Sequence, residues 1–196
     1  MAQPDVQAHP VRLVNEDDLR RNRLTVFFRL LLAIPHLVFL FLWGVVMLVV
    51  ALVNWFAALF RGRLPDGLHE FTARFVRYQT HVYAYVHLVA DPFPPFMGRL
   101  ASYPIDLEVD PPAPQSRLAV FFRIFLAIPA LILAWVFRSL MQVLAFVGWF
   151  YALATGRMSE GIRDLAAYAL RYEAQTMAYT LLLTDSYPSL SGGPAA

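Results

Sequence analysis

The chain has 196 residues, of which 59% are hydrophobic and only 15% are charged, whereas an ordinary soluble domain has about 25% charged residues. Its mean hydropathy is +0.52, and it has no cysteine. This composition excludes a disordered chain, a disulfide scaffold, a thiolate metal site and an ordinary cytosolic enzyme, and it predicts a membrane protein. The net charge of +2 is too small for a nucleic-acid-binding face.

The first 22 residues do not form a secretory signal, because they carry four acidic residues and have no apolar core. We expect residues 1–9 to be flexible and the first long apolar run to remain in the protein as an anchor. All basic residues are arginines. The planar guanidinium group donates two hydrogen bonds at once, which suits the phosphates of anionic lipids.

An internal repeat with an offset of 94 residues organises the chain. Residues 23–96 align with residues 117–190 without a gap, and 30 of the 74 aligned pairs are identical. Shorter leader segments match as well, with alternating apolar and polar residues after a proline, which predicts a short strand before each unit. We therefore divide the chain into a first unit, a Pro-rich linker, a second unit and a flexible tail, at residues 10–96, 97–116, 117–190 and 191–196.

Each unit contains one long apolar run. Residues 30–60 carry no charge, and residues 124–154 carry only Arg138; a membrane-spanning helix needs about 20 apolar residues. Pro35 and Pro129 are expected to mark kinks where these helices enter the bilayer. Trp55 and Trp149 are expected at the membrane–water interface, which suits the amphipathic indole ring.

The helix that follows in each unit, at residues 68–90 and 162–184, either crosses the bilayer or lies in its interface. If only the two apolar runs cross, the two sides of the membrane hold eight and seven arginines, which is almost no bias. If all four helices cross, the termini and linker hold eight arginines and the short turns hold three. The positive-inside rule then favours four crossing helices, both termini in the cytoplasm, and two units related by an axis along the membrane normal. With two crossing helices the units would instead be inverted repeats.

The motifs RLTVFFRLLLAIPH (23–36), WFAALFRGRLPDGLHEF (55–71) and YVHLVADPFPPF (85–96) resemble a bacterial membrane family known as domain of unknown function 4389. The second unit carries similar motifs at residues 117–129 and 181–188. The resemblance implies an integral protein of the bacterial inner membrane and no particular chemistry. The second copy departs from the pattern where Ser159 and Arg163 replace Pro65 and His69.

Two pairs of charged residues recur in both units. Arg29 and Arg123 precede the apolar runs, and Asp91 and Asp185 end the second helices. If all four helices cross, both sets lie at the same membrane face, where Arg29–Asp91 and Arg123–Asp185 pairs would fasten the hairpin ends. The alternative is that the arginines reach towards the interface and the aspartates only end their helices.

A third pair is predicted in the second unit alone. Arg138 replaces Gly44, and Glu173 replaces Gln79. Both changes add a charge at membrane depth, and an unpaired buried charge is costly. We expect the two side chains to compensate each other; the alternative is that Arg138 reaches the interface and Glu173 faces water.

The dipeptides Gly62-Arg63 and Gly156-Arg157 are predicted to form the turns between helices. Glycine provides the left-handed conformation that ends a helix, and arginine there favours the negative helix end and lipid phosphates. The alternatives are a purely structural turn and a headgroup-binding turn. His36 and Asn54, within the first apolar run, are expected to make hydrogen bonds between helices.

The sequence contains no metal-ligand spacing, nucleophile elbow or phosphate-binding loop. We therefore expect no catalytic residue, cofactor or metal. The fold class expected is an all-α integral membrane protein of two tandem helical hairpins, with about four membrane helices and short extended leaders. The function expected is that of a non-enzymatic membrane scaffold or interaction module that contacts lipid and either itself or another membrane protein. The alternative is a small transporter or channel subunit.

Overall fold

The computed structural model describes residues 9–191. The two terminal segments predicted to be flexible lie outside these residues, except for His9 and Ser191. The described part is mostly helical, and its elements in chain order are β1 (Val11–Asn15), α1 (Arg23–Arg61), α2 (Asp66–Val86), β2 (Ile105–Val109), α3 (Arg117–Phe121), α4 (Arg123–Thr155) and α5 (Glu160–Thr180).

The long helix α1 begins and ends at residues suited to those positions. The side chain of Asn22 accepts hydrogen bonds from the first backbone N–H groups of the helix, as an N-cap residue does. Gly62 ends α1 in the left-handed conformation, with φ of 73°. The helix already begins at Arg23 and runs through Pro35, so the apolar run, residues 30–60, occupies all of the helix except its first two turns and its last residue.

The outer surface of α1 is apolar and its inner stripe holds the polar side chains. Leu30, Leu48 and Phe60 are each more than 70% exposed. His36 and Asn54, which lie on the narrow stripe that packs against the rest of the protein, are fully buried. This distribution is the reverse of that in a soluble amphipathic helix, whose apolar residues point inwards.

Helices α2 and α5 form the centre of the protein. Nearly all of their side chains after the first two turns are buried, although their composition is far less apolar than that of α1 and α4. They pack against each other, and α2 packs on α1 while α5 packs on α4. Protein, rather than lipid or water, therefore surrounds most of these two helices.

The two predicted leader strands pair with each other. Strands β1 and β2 form an antiparallel two-stranded sheet whose central pair is Leu13 and Leu107, which are equivalent residues of the two units. Strand β2 packs on α2 and β1 packs on α5. The sheet, the α2–α5 pair and the α1–α4 pair thus form three successive layers about one pseudo-two-fold axis.

Equivalent contacts at both ends of the molecule show how α1 and α4 are oriented. The backbone N–H of Arg21 donates to the carbonyl of Gly156, and the backbone N–H of Gln115 donates to the carbonyl of Gly62. The start of each unit's long helix therefore lies beside the end of the other's, and α1 and α4 are antiparallel. The arrangement expected for four crossing helices, in which α1 and α4 run parallel, is wrong for this fold.

Two expectations about fold class need correction. In the described part of the chain, two helices are long and apolar enough to cross a membrane, α1 and α4, rather than four. Helices α2 and α5 fail this criterion because they are central helices that carry charged and polar side chains. The two-stranded sheet also makes the protein mostly helical rather than all-α.

Candidate functional site: two arginine–aspartate clamps and a cross-helix charge pair

The structure brings Arg29 and Asp91 together at the start of α1. The guanidinium group donates to the Asp91 carboxylate at 2.6 Å, and to the backbone carbonyls of Tyr85 and Ala90 at 2.6 and 2.8 Å. The other oxygen of Asp91 accepts from the backbone N–H of Asn22 at 3.2 Å. This first clamp joins the start of α1 to the end of α2.

An equivalent second clamp joins the start of α4 to the end of α5. Arg123 donates to the Asp185 carboxylate and to the side-chain oxygen of Gln115, both at 2.8 Å. The other oxygen of Asp185 accepts from the backbone N–H of Ser116 at 3.2 Å. The Arg123 guanidinium also lies 4.1 Å from the centre of the Tyr179 ring, within the range of a cation–π contact.

The two clamps lie at opposite ends of the α1–α4 pair. If these two helices crossed the bilayer, the clamps would therefore lie at opposite membrane faces and not, as expected, at the same one. The reason is the antiparallel packing described above, which places the start of α1 next to the end of α4. A backbone feature positions both aspartates: Leu88 and Leu182 adopt left-handed conformations with φ of 63° and 68°. A non-glycine residue in this conformation costs about 1–2 kcal/mol, so the surrounding contacts hold each chain reversal in place.

Arg138 and Glu173 form the cross-helix pair. The guanidinium group of Arg138 in α4 contacts a carboxylate oxygen of Glu173 in α5. The Glu173 side chain is 4% exposed and that of Arg138 is 41% exposed. Burial raises the pKa of Glu173, and the charge and hydrogen bond of Arg138 oppose that effect. The pair therefore keeps a carboxylate inside the protein at a position where the first unit has the neutral Gln79.

A small void adjoins this pair where α2 and α5 cross. It holds about 10 Å³ and is lined in part by Val76, Gln79 and Glu173. The side-chain oxygen of Gln79 and the second carboxylate oxygen of Glu173 lack a hydrogen-bond partner within residues 9–191. A volume of this size admits about one water molecule, which needs polar partners such as these two oxygens.

The turn residues adopt the predicted conformation. Gly62 and Gly156 both end their helices in the left-handed conformation, with φ of 73° and 72°. Arg63 and Arg157 are exposed and lie at opposite ends of the α1–α4 pair. Their contact with lipid headgroups stays a prediction.

The hydrogen bonds expected for the two polar residues of α1 are confirmed. A ring nitrogen of His36 lies 2.7 Å from the hydroxyl of Tyr78, and the side-chain amide of Asn54 donates to the hydroxyl of Thr72 at 3.0 Å. Both partners belong to α2. These bonds fix α1 against the central helices at two levels.

The two tryptophans have a role that their position in the sequence does not reveal. The indole N–H of Trp55 donates to the carbonyl of Val120, and that of Trp149 donates to the carbonyl of Val26, each at 3.0 Å. Each tryptophan thus ties the end of one long helix to the start of the other unit. The repeat alignment marked the two residues as equivalent but gave no sign that their partners lie across the two units.

Sequence reasoning missed a buried ion pair in the first leader. Arg21 contacts Asp17 at 2.8 Å, and the two side chains are 0% and 2% exposed. Arg21 also donates to the backbone carbonyls of Leu88 and Val89. The available signal was the repeat alignment, which places the uncharged Gln115 opposite Arg21 and so marks a charge present in one unit only.

A second missed cluster joins α2 to the sheet. A ring nitrogen of His81 lies 2.9 Å from the Asp106 carboxylate, and a guanidinium nitrogen of Arg77 lies 3.6 Å from it. Burial alone would raise the pKa of Asp106, but hydrogen bonds from His81 and from the backbone N–H groups of Leu107 and Ala101 lower it below the ordinary value. The cluster keeps a carboxylate ionised between the sheet and α2.

The fold and these sites define a duplicated helical protein in which two long helices expose apolar side chains while buried charges fasten the helix ends. Residues 23–98 and 117–191 match the profile of the family described as domain of unknown function (DUF4389). The two matches cover most of the chain, and the protein belongs to this family, in two tandem copies. No curated protein and no solved structure matches the chain.

Proposed function

We propose that the protein is embedded in the bacterial cytoplasmic membrane through α1 and α4 and acts as a non-enzymatic scaffold or interaction module. The observation that carries the proposal is that the long helices expose their apolar side chains and bury their polar ones. In α1, Leu48 is 74% exposed whereas the inward-facing Arg29 is 2% exposed. Such an apolar surface costs free energy in water and matches the hydrocarbon of a bilayer.

The non-enzymatic role is supported by the ion pairs that the buried charged side chains make with one another. Arg29 and Arg123 fasten helix ends, Asp106 joins the sheet to α2, and Glu173 joins α5 to α4. Each of these side chains already serves as a link between secondary-structure elements. The partners proposed are anionic lipids, contacted by exposed arginines such as Arg63 and Arg157, and a second copy or another membrane protein.

A small transporter or channel subunit is the second candidate function. The observation that favours it is the Arg138–Glu173 pair, because ionisable residues next to membrane helices often mark the path of an ion or proton. The unpartnered oxygens of Gln79 and Glu173 lie beside a void about the size of one water molecule. On this hypothesis, protonation of Glu173 would accompany transport.

One purification distinguishes these functions. The full chain is extracted in mild detergent, its mass and the stoichiometry of any companion are measured, and it is then reconstituted in liposomes for ion flux and lipid turnover. The scaffold proposal expects a defined oligomer or stoichiometric complex with neither flux nor turnover. Flux that Arg138→Ala abolishes would replace it with the transporter, and lipid turnover would replace it with an enzyme.

A further inference from the structure

We infer that α1 and α4 lie parallel to the membrane plane within one leaflet, with the sheet on the aqueous side, so that the surface this protein binds is one face of a bilayer. The inference rests on the proposed membrane function and adds its orientation. In this arrangement the pseudo-two-fold axis coincides with the membrane normal. The three layers then follow one another from hydrocarbon to water: α1 and α4, then α2 and α5, then the sheet.

The level at which the sheet lies along α1 is the first argument. Arg77 and His81, near the middle of α2, contact residues of β2. Tyr78, between them in sequence, contacts His36 and Trp43 in the central part of α1. The sheet is therefore level with the middle of α1. If α1 crossed the bilayer upright, the sheet would lie at mid-membrane depth.

The sheet cannot be placed at that depth at acceptable cost. Its two strands leave open edges, and Arg12, Glu108 and Asp110 have side chains that are 38%, 48% and 45% exposed. Open sheet edges facing lipid do not occur within the hydrocarbon region, because their backbone groups lack partners. A charged side chain is also costly at that depth. In water, the open strand edges and the exposed charged side chains are both hydrated, so the sheet is stable there.

The length of α1 is the second argument. Its 39 residues extend about 58 Å at 1.5 Å per residue, while the hydrocarbon core of a bilayer is about 30 Å thick. Apolar side chains are exposed along almost all of this length, from Leu24 to Phe60. An upright helix would carry this apolar surface far beyond the hydrocarbon, whereas a helix lying in the plane keeps all of it immersed.

The position of the arginines is the third argument and identifies the occupant of the apolar face. Arg23 and Arg157 lie at one end of the α1–α4 pair, and Arg61, Arg63 and Arg117 lie at the other. The apolar surface is thus flanked at both ends by cations, which fits a layer of hydrocarbon bordered by anionic phosphates better than a second protein copy. The in-plane orientation also explains why the two-crossing arrangement would place nearly equal numbers of arginines, eight and seven, on its two sides. Both ends of the α1–α4 pair then face the same headgroup layer.

Single cysteines test the orientation, since the chain has none of its own. Arg157→Cys and Arg63→Cys probe the two ends, and Glu108→Cys probes the sheet; all three residues are exposed. Leu48→Cys, on the apolar face, is the matched control. A membrane-impermeant maleimide is applied to intact spheroplasts and to inside-out vesicles of the expressing cells.

The inference expects Arg157→Cys, Arg63→Cys and Glu108→Cys to label in the same preparation and to be protected at least tenfold in the other, with Leu48→Cys protected in both until detergent is added. Labelling of Arg157→Cys and Arg63→Cys from opposite sides would overturn the in-plane orientation and leave the membrane proposal intact. Recovery of the full chain in the soluble fraction would instead overturn the proposed function itself.

Discussion

Arg29 and Arg123 are 2% and 1% exposed, and each donates hydrogen bonds to an aspartate and to further oxygen atoms. An isolated buried charge would be prohibitively costly, so these oxygen acceptors are part of what makes the burial of each guanidinium tolerable. Because Asp91 also accepts from the backbone N–H of Asn22, it satisfies a group at the start of α1 as well. Each clamp therefore couples the packing of two helices to the capping of one.

A charge exchange tests the first clamp. Asp91→Arg is expected to lower the free energy of unfolding in detergent by about 3 kcal/mol, the low end of the cost of breaking a buried pair because Asp91 is partly exposed. Adding Arg29→Asp should recover part of this loss, which thermal unfolding measures. Asp18→Arg, at an exposed aspartate, is the control and should have little effect. No recovery in the double variant would argue against the clamp.

The cross-helix pair predicts an energetic coupling between two residues. Glu173→Gln is expected to destabilise the protein when Arg138 is present, because it removes the partner of a charge, and to have little effect in an Arg138→Met background. A coupling of about 1–3 kcal/mol, measured by a double-mutant cycle on thermal unfolding, is expected. Additive effects of the two substitutions would show that the contact contributes no stability.

The Asp106 cluster predicts a dependence of stability on acid. Since the pKa of Asp106 is lower in the folded protein than in the unfolded chain, its contribution is present above about pH 4 and is lost as the pH falls through the folded value. We expect Asp106→Asn to lower the melting temperature at pH 7 and the difference from wild type to shrink by pH 3. If the difference in melting temperature between wild type and Asp106→Asn stays constant from pH 7 to pH 3, the ionised Asp106 carboxylate does not stabilise the fold.

The sequence allowed the clamps and the cross-helix pair to be predicted as pairs, because repetition or its local failure marked those residues. Arg21 with Asp17, and His81 with Asp106, escaped prediction. Arg21 and Asp17 lie four residues apart in the segment between β1 and α1, and the pair is buried because that segment packs against the carbonyls of Leu88 and Val89. His81 and Asp106 belong to α2 and β2, whose relative placement is decided by tertiary packing. Spacing along the chain carries no information about the burial of the first pair or the contact of the second.

At the scale of elements, glycine positions decide where the long helices end. Gly62 and Gly156 have φ values of 73° and 72°, and no atom crowds the position where a side chain would begin at Gly62. The cost of a substitution at Gly62 is therefore conformational rather than steric. Gly67, within α2, has equally open space and an ordinary helical backbone, which makes it a matched comparison.

Opposite effects are expected from alanine at these two glycines. Gly62→Ala should lower the free energy of unfolding by about 1–2 kcal/mol, since an alanine must adopt the left-handed conformation. Gly67→Ala should raise it by about 0.5–1 kcal/mol, because alanine favours the helix. Denaturant unfolding in detergent measures both. Two changes of the same sign would show that backbone conformation does not control the effect.

The existence of the elements followed from local patterns: strands from alternating leaders, long helices from apolar runs, and turns from glycine. The character of α2 and α5 did not. Their charged residues, such as Arg77 and Arg171, are buried at 5% and 7% exposure, and an interior helix of this kind has the same composition as a helix at a membrane surface. An interior helix differs from a helix at a membrane surface in being covered by other elements, here α1, α4 and the sheet. That burial arises only from tertiary packing.

At the scale of the whole molecule, the pseudo-two-fold axis passes through the Leu13–Leu107 pair and relates α1 to α4 and α2 to α5. The repeat established that the two units are equivalent, but it held no information about their relative direction. That direction is determined by contacts between the units, such as the indole bond from Trp55 to Val120. For this reason the arginine count led to a parallel arrangement that the structure does not have.

Trp55 and Trp149 allow the contact between the two units to be tested. Trp149→Phe keeps the apolar ring and removes the hydrogen bond to the carbonyl of Val26. We expect a loss of about 1 kcal/mol in the free energy of unfolding, and the same loss for Trp55→Phe, because their contacts are equivalent. A loss at Trp55 with none at Trp149 would contradict a symmetric inter-unit contact.

Contact between hydrocarbon and the exposed surface of α1 and α4 is the basis of the proposed function. Its most direct measurement is the collision accessibility of spin labels at single cysteines in protein reconstituted into lipid vesicles, with Leu48→Cys and Trp135→Cys on the two helices and Glu108→Cys on the sheet. We predict that the labels at 48 and 135 collide readily with apolar oxygen and hardly at all with a polar nickel complex, while the label at 108 shows the reverse. A label at 48 or 135 that the nickel complex reaches as readily as it reaches the label at 108 would show that this surface faces water and not hydrocarbon.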